Sequence, residues 1–321
     1  MYYKELGLVN PSEIFQKAYN GQYAIPAFNF ISVEQINAIF DACIENNSPV
    51  ILIVSPNLIR QIEPETVAYL VKANIERAKR IGKNIPASLF LDHGMKFEDC
   101  VLAIDNGFSA VMIDGSALSF EDNIELTKKV TEYAHKREVA VEAELGALSG
   151  EEEPSDSEDK KMSIYTDPKK AEIFIKETNI DCLAVSVGTS HGLVKIKSDS
   201  KNIIKYDIIK EIENRVPNFP LVLHGSSSLK KEIIDMVNNY GGNIEKAEGI
   251  PEDEIKKISK TAICKINIAS DGWITALAYT RKILAENPKA IDPRVYTLPI
   301  RKELHKLYSH KIELLGSKNR I

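Results

Sequence analysis

The stretch A-S-L-F-L-D-H, Ala87–His93, runs from small and apolar residues into an aspartate and a histidine. It is too short for a helix, and an apolar run of this length closed by polar residues suits a buried strand of a parallel sheet. Seven runs of similar kind lie to either side: Ile25–Phe30, Val50–Ser55, Ala110–Asp114, Val139–Leu145, Cys182–Val187, Pro220–Gly225 and Ile263–Ile268. Helical patterns separate them. In Ser32–Asn46 the apolar residues Val33, Ile36, Ile39, Phe40 and Cys43 follow 3,4 spacing behind Ser32, a residue suited to an N-cap. Ser119 and Asp122 form a capping-box pattern ahead of Ile124–Tyr133, and Asp167-Pro168 sets a capping aspartate before a proline at the first helical position. Eight strands alternating with helices predict an α/β protein, a single (β/α)8 TIM barrel over residues 1–321. Extra helical elements are expected too, because Gly241-Gly242 through Gly249-Ile250-Pro251 ends one helix and starts another before the eighth run. The acidic, apolar-poor stretch Ser149–Lys161 cannot join a core and is expected to form a mobile loop after the fifth strand.

A chain of 321 residues with 44% hydrophobic and 27% charged side chains buries a substantial core. The formal net charge of -5 carries no basic excess, which excludes a nucleic-acid binder of the electrostatic type. Nowhere do about 18 uninterrupted apolar residues occur, so no membrane span is expected. The N-terminal residues Met1–Asn10 lack a basic region followed by an apolar stretch. Cys43, Cys100, Cys182 and Cys264 are scattered in apolar runs without C-x-x-C spacing and read as buried, reduced thiols. A cytoplasmic protein is expected.

Catalytic groups of a (β/α)8 barrel collect where the strands end, because the following loops converge there over a packed interior. The predicted strand ends carry Asn29, Ser55, Asp92-His93, Asp114, Glu142 with Glu144, Gly188-Thr189-Ser190-His191, His224-Gly225-Ser226-Ser227, and Asn267 with Ser270-Asp271. Of six histidines, His93, His191 and His224 lie at the ends of the third, sixth and seventh strands, whereas His135, His305 and His310 fall in charged helical sequence. One histidine beside a strand is usually a hydrogen-bonded core or loop residue. Three aimed at one rim, with a carboxylate such as Glu144, suit a divalent transition metal, zinc first, that keeps a coordination position for substrate. The glycines and hydroxyls of Gly188–Gly192 and Gly225–Ser228 suit a strand-to-helix junction that cradles phosphate, with Lys195 as a candidate positive charge; taken alone, Gly-Ser-Ser-Ser also reads as a plain turn and Lys195 as a solvated surface lysine.

Read together, L-D-H-G (Leu91–Gly94), V-E-A-E-L-G (Val141–Gly146), G-T-S-H-G (Gly188–Gly192), L-V-L-H-G-S-S-S (Leu221–Ser228), K-I-N (Lys265–Asn267) and D-P-R-x-Y (Asp292–Tyr296) resemble the class II fructose/tagatose-bisphosphate aldolases. The resemblance runs in order from about Asn10 to about Leu315. It implies a metal-dependent lyase of carbohydrate metabolism, with glycolysis as its setting. The expected reaction is reversible cleavage of fructose 1,6-bisphosphate to the triose phosphates dihydroxyacetone phosphate and glyceraldehyde 3-phosphate. His93, His191 and His224 match the zinc ligands, Glu144 matches an acidic residue at an alternative or second metal position, and Asp114 and Glu142 match outer carboxylates. Asp92 matches the acid/base at the C4 oxygen, and Glu152, in the acidic stretch, the group that moves the proton at C3 of dihydroxyacetone phosphate. Gly192, Lys195, Gly225, Ser227, Asn267 and Ser270 match residues holding the ketone-side phosphate, and Asn29 and Ser55 join them as substrate-binding candidates at strand ends. Arg294 resembles an arginine that reaches the far phosphate, often in a neighbouring subunit, which implies a homodimer or homotetramer. A monovalent cation is an auxiliary that the resemblance allows.

Departures from the pattern bear on the substrate. Ala269 stands where fructose-bisphosphate enzymes usually carry aspartate in an N-x-D-[TS]-D run, and tagatose-type enzymes tend to have alanine there. Tagatose 1,6-bisphosphate is therefore the alternative substrate. Gly272-Trp273 replaces a more usual charged and aliphatic pair, and Phe90 a histidine that is not a ligand. Two further readings are a Schiff-base aldolase using a strand lysine such as Lys265, and a noncatalytic metal-binding barrel subunit.

Overall fold

A computed structural model describes residues 1–146, 165–194 and 204–321. Eight parallel strands, β1 (Ile25–Asn29), β2 (Val50–Val54), β3 (Ala87–Gly94), β4 (Ala110–Ile113), β5 (Ala140–Leu145), β6 (Cys182–Val185), β7 (Leu221–Leu223) and β8 (Ile263–Ile268), close in sequence order into a barrel. The helices of the described residues are α1 (Ser12–Gly21), α2 (Val33–Glu45), α3 (Pro56–Ile62), α4 (Pro64–Arg80), α5 (Phe97–Asp105), α6 (Phe120–His135), α7 (Pro168–Thr178), α8 (Tyr206–Arg215), α9 (Lys231–Asn239), α10 (Glu252–Ile258), α11 (Ser270–Glu286) and α12 (Arg294–Leu315). The extra element expected before the eighth strand is α10. No described helix is long and apolar enough to cross a membrane.

The expected N-caps form, but the capping box at Ser119 does not close, because Asp122 takes the Ser119 hydroxyl and not its backbone N–H. Ser32 accepts from the Gln35 N–H, Asp167 from those of Lys169 and Lys170, and Ser119 from that of Asp122, whose carboxylate also receives the Ser119 hydroxyl at 2.6 Å. These bonds satisfy donors that a helix start otherwise leaves without partners. All four cysteines are reduced and buried.

Alternation along the strands divides the core in two. Ile25, Ala27, Ile51, Ile53, Phe90, Ala110, Met112, Ala140, Ala184 and Val222 fill the barrel interior, where Ile14, Phe15 and Ala18 of α1 join them. The other parity, including Phe28, Leu52, Leu91, Val111, Ala143 and Leu183, meets the helical ring. The Val9 N–H bonds the Ala87 carbonyl at 2.9 Å and the Phe15 and Phe90 rings lie 6.1 Å apart, so α1 covers the end of the barrel where the strands begin. The opposite end is left for the loops.

Two strands stop earlier than expected. β6 ends at Val185 and β7 at Leu223, so His224 and Gly225 belong to the loop and not to the strand. The chain turns there because Gly225 has φ +64°, and a side chain on it would lie 2.4 Å from the Ser190 carbonyl oxygen. Only glycine lets the two loops approach this closely.

Candidate metal centre

Three strands deliver the three histidines to one place: His93 lies at the end of β3, His191 in the loop after β6 and His224 just past β7. Ring centroids are 4.9 Å apart for His93 and His191, 4.8 Å for His93 and His224, and 6.0 Å for His191 and His224. One ligand atom from each lies within 4.8 Å of the others, and His93, Asp114 and Glu144 meet the same condition.

Carboxylates stand behind the rings. The His93 Nδ1–H donates to Asp114 at 2.8 Å and the His224 Nε2–H to Glu142 at 2.9 Å. Because a carboxylate only accepts, each contact fixes which ring nitrogen carries a proton and leaves the other, Nε2 of His93 and Nδ1 of His224, for a metal. The Nδ1 of His224 and Oε2 of Glu144 are 3.2 Å apart, buried, and without a hydrogen-bond partner. A divalent cation satisfies both atoms, so the residues present fit a metal.

The field at this spot favours positive charge. Burial is the largest influence on His224 and works against protonation, yet Glu142 and Glu144 push its pKa up to about 10. His93 is raised likewise, burial being outweighed by Asp92, Asp114 and Glu144. Burial would raise the Asp114 carboxyl, but His93 and two hydrogen bonds from Ser116, at 2.6 and 3.1 Å, hold it well below the ordinary range. Burial and the nearby charge of Asp114 raise Glu144.

Glu142 is lowered in spite of its burial because the Lys265 ammonium lies 2.7 Å away and His224 donates to it. Lys265 is 1% exposed and stacks 4.8 Å over the Phe90 ring, inside the barrel. That setting gives it a counter-charge and no approach to a substrate carbonyl, which speaks against the Schiff-base reading.

Asp92 sits beside His93 and accepts a hydrogen bond from the Asn267 amide at 3.0 Å. Regular pleating would turn neighbours to opposite faces, with Phe90 and Asp92 inward and Leu91 and His93 outward. The strand avoids this with a register shift between Leu91 and Gly94 and a left-handed backbone, φ +52°, at His93. Both side chains thereby reach the rim.

The remaining expected residues divide. Asn29, at the end of β1, donates to the Ile53 carbonyl at 3.2 Å and accepts from the Trp273 indole at 3.0 Å. Ser55 caps α3 through the Leu58 N–H. Ser227 and Ser270 are buried, Ser270 being the first residue of α11. Gly192 has φ +80° in the His191 loop. Arg294 stands apart, exposed in the first turn of α12 with its guanidinium on Asp292 at 2.6 Å. Glu152, Lys195 and the acidic stretch Ser149–Lys161 lie outside the described residues.

One participant escaped the sequence reading. Lys311, on α12, is buried and reaches the Asp271 carboxylate at 2.8 Å and the Ser228 hydroxyl, while Asp271 accepts from the Ser228 and Leu229 N–H groups at 3.1 and 2.8 Å. The pair braces the loop that follows His224. Within a helix rich in lysine and glutamate, nothing set Lys311 apart from its solvated neighbours.

A family model described as "Fructose-bisphosphate aldolase class-II" matches residues 9–320. The chain is 45% identical to a fructose-bisphosphate aldolase of Treponema pallidum, covering 99% of both chains, and 38% identical to one of Helicobacter pylori, covering 98% of this chain and 100% of that one. Among solved structures, the YdjI aldolase of Escherichia coli K12 superposes with a TM-score of 0.75 at 27% identity, covering 98% of this chain and 99% of that one.

Proposed function

This chain belongs to the class II fructose-bisphosphate aldolase family, whose members are metal-dependent lyases, and from that premise we propose that it cleaves and re-forms the C3–C4 bond of fructose 1,6-bisphosphate. The reading is carried by the meeting of His93, His191 and His224 at one rim beside Asp92. A divalent metal, zinc first, is held by the three histidines with Glu144 at hand, and when bound it supplies Lewis acidity to substrate oxygens that carry negative charge.

Asp92 takes the proton of the C4 hydroxyl during cleavage and returns it in synthesis. The Asn267 amide orients its carboxylate for that transfer. As the C3–C4 bond breaks, its electron pair stays with C3, and glyceraldehyde 3-phosphate leaves. Glu152 then delivers a proton to C3, which completes dihydroxyacetone phosphate. Asp114 and Glu142 keep His93 and His224 in the tautomers that leave a lone pair for the metal. Gly192, Lys195, Gly225, Ser227, Asn267 and Ser270 hold the ketone-side phosphate, with Asn29 and Ser55 along the sugar. Arg294 serves the far phosphate from a neighbouring subunit of a homodimer or homotetramer. Its present bond to Asp292 and its exposure are compatible with that duty. A single barrel domain over residues 1–321, working in the cytoplasm, completes the reading.

Ala269 favours a second substrate. It occupies the capping position of α11, next to Ser270, where the resemblance connects alanine with tagatose 1,6-bisphosphate. Cleavage of each sugar by the metal-loaded protein, before and after chelation, tests the proposal. We expect chelation to abolish cleavage and zinc to restore it. Full activity after chelation would falsify the metal-dependent reading, and the ratio of kcat/KM values for the two sugars chooses between them.

A further inference from the structure

We propose that Trp273 is a positioning residue for the substrate, acting by locking the amide of Asn29. This rests on the aldolase reading, which puts Asn29 among the substrate-binding residues. The Asn29 Nδ2 donates to the Ile53 carbonyl at 3.2 Å, and its Oδ1 accepts from the Trp273 Nε1–H at 3.0 Å. An indole N–H can only donate and a backbone carbonyl can only accept, so these two partners permit one orientation of the amide. The reversed amide sets N–H against N–H and oxygen against oxygen. In the permitted orientation one N–H and one oxygen lone pair of Asn29 are left over; the N–H suits a hydroxyl or phosphate oxygen, and the lone pair suits a hydroxyl hydrogen.

The place of this contact connects it with the chemistry. Asn29 is two residues beyond Ala27, which pairs with Asn267 on β8, and Asn267 in turn holds Asp92. Trp273 lies in the first turn of α11, its N–H on the Ala269 carbonyl at 3.2 Å. It therefore shares a helix face with Ala269, the position associated with sugar identity. Asn29 is 5% exposed and Trp273 is 43% exposed. Trp273 keeps much of its ring in solvent while its N–H is directed inward to the buried Asn29. Trp273 is also the only tryptophan in the chain, so its emission reports on this corner of the barrel alone.

The test compares Trp273→Phe, Asn29→Ala and the double variant, each metal-loaded, for cleavage of fructose 1,6-bisphosphate and for thermal unfolding. Phenylalanine keeps an aromatic ring but removes the N–H together with the rest of the five-membered ring, so thermal unfolding reads the packing lost and the Asn29→Ala background isolates the part that acts through the amide. We expect Trp273→Phe to raise KM about fivefold, the worth of one neutral hydrogen bond, with kcat moving less than about twofold. In the Asn29→Ala background the same change should add nothing to KM, since the group it acts through is gone. In the wild type, fructose 1,6-bisphosphate should change tryptophan emission saturably. An unchanged KM in Trp273→Phe overturns the inference, as does an equal KM effect with and without Asn29, or emission that ignores saturating ligand. A wild type that cleaves neither sugar bisphosphate sinks the aldolase reading itself, and the inference with it.

Discussion

Strand β5 brings Glu142 and Glu144 to the barrel interior by ordinary pleating, whereas β3 has to break its own geometry to bring Asp92 and His93 to the same rim. Residues two apart share a face of a strand without effort, and adjacent residues do not. β5 can thus carry two acids in a regular, fully buried ladder whose charge is balanced by Lys265 and His224. β3 combines a register shift with a left-handed histidine, a conformation that costs a non-glycine residue of order 1–3 kcal/mol. The regular strand builds the charged foundation, and the irregular one sets the proposed acid/base beside a proposed metal ligand.

The largest effect should come from the irregular strand. Asp92→Ala is expected to lower kcat about 10³-fold while elemental analysis finds the same metal content as in wild type, because the role proposed for the side chain is proton transfer and not ligation. Loss of metal together with activity would show that Asp92 supports the centre instead. On β5 the expected cost is in folding. Glu142→Ala leaves Lys265 buried without its counter-charge, and denaturant unfolding should lose about 3–5 kcal/mol. Adding Lys265→Met should recover much of that loss, and a double variant no better than the single one would contradict the pairing argument. The smallest effect concerns the register shift. A methyl at Gly94 would lie 2.9 Å from the Met112 carbonyl oxygen and 2.8 Å from the Leu91 side chain, so Gly94→Ala should cost about 1–3 kcal/mol of stability. An alanine variant as stable as wild type would mean that β3 has slack at this point.

The contrast also marks how far the sequence could be read. Eight short apolar runs, separated by helical spacing and signed by Ser32, Ser119 and Asp167, carry local information, and local information suffices for strands, helices and caps. The Glu142 and Glu144 pair was legible for the same reason, since period two is a property of the strand alone. The turn at His93 was not, because a register shift depends on the neighbouring strand. Lys265 reads as a candidate nucleophile in the sequence because its local context does not reveal that β5 places Glu142 opposite it. Lys311 and Trp273 escaped as functional residues in the same way. Each owes its meaning to a partner 40 or more positions away in the chain: Lys311 to Asp271, Trp273 to Asn29.

The brace between Lys311 and the Ser228 loop sets a sequence in time. The lysine follows the serine by 83 positions. A ribosome therefore releases Ser226–Leu229 well before the ammonium that steadies them, and domains synthesised from the N-terminus gain structure in that order. Until α12 docks, Asp271 is a carboxylate entering a closing interior without its cation, and the loop beside His224 has not taken its final shape. A nascent barrel with all eight strands in hand would still lack the brace on the loop beside His224, so catalytic competence should appear late in synthesis, with the arrival of α12.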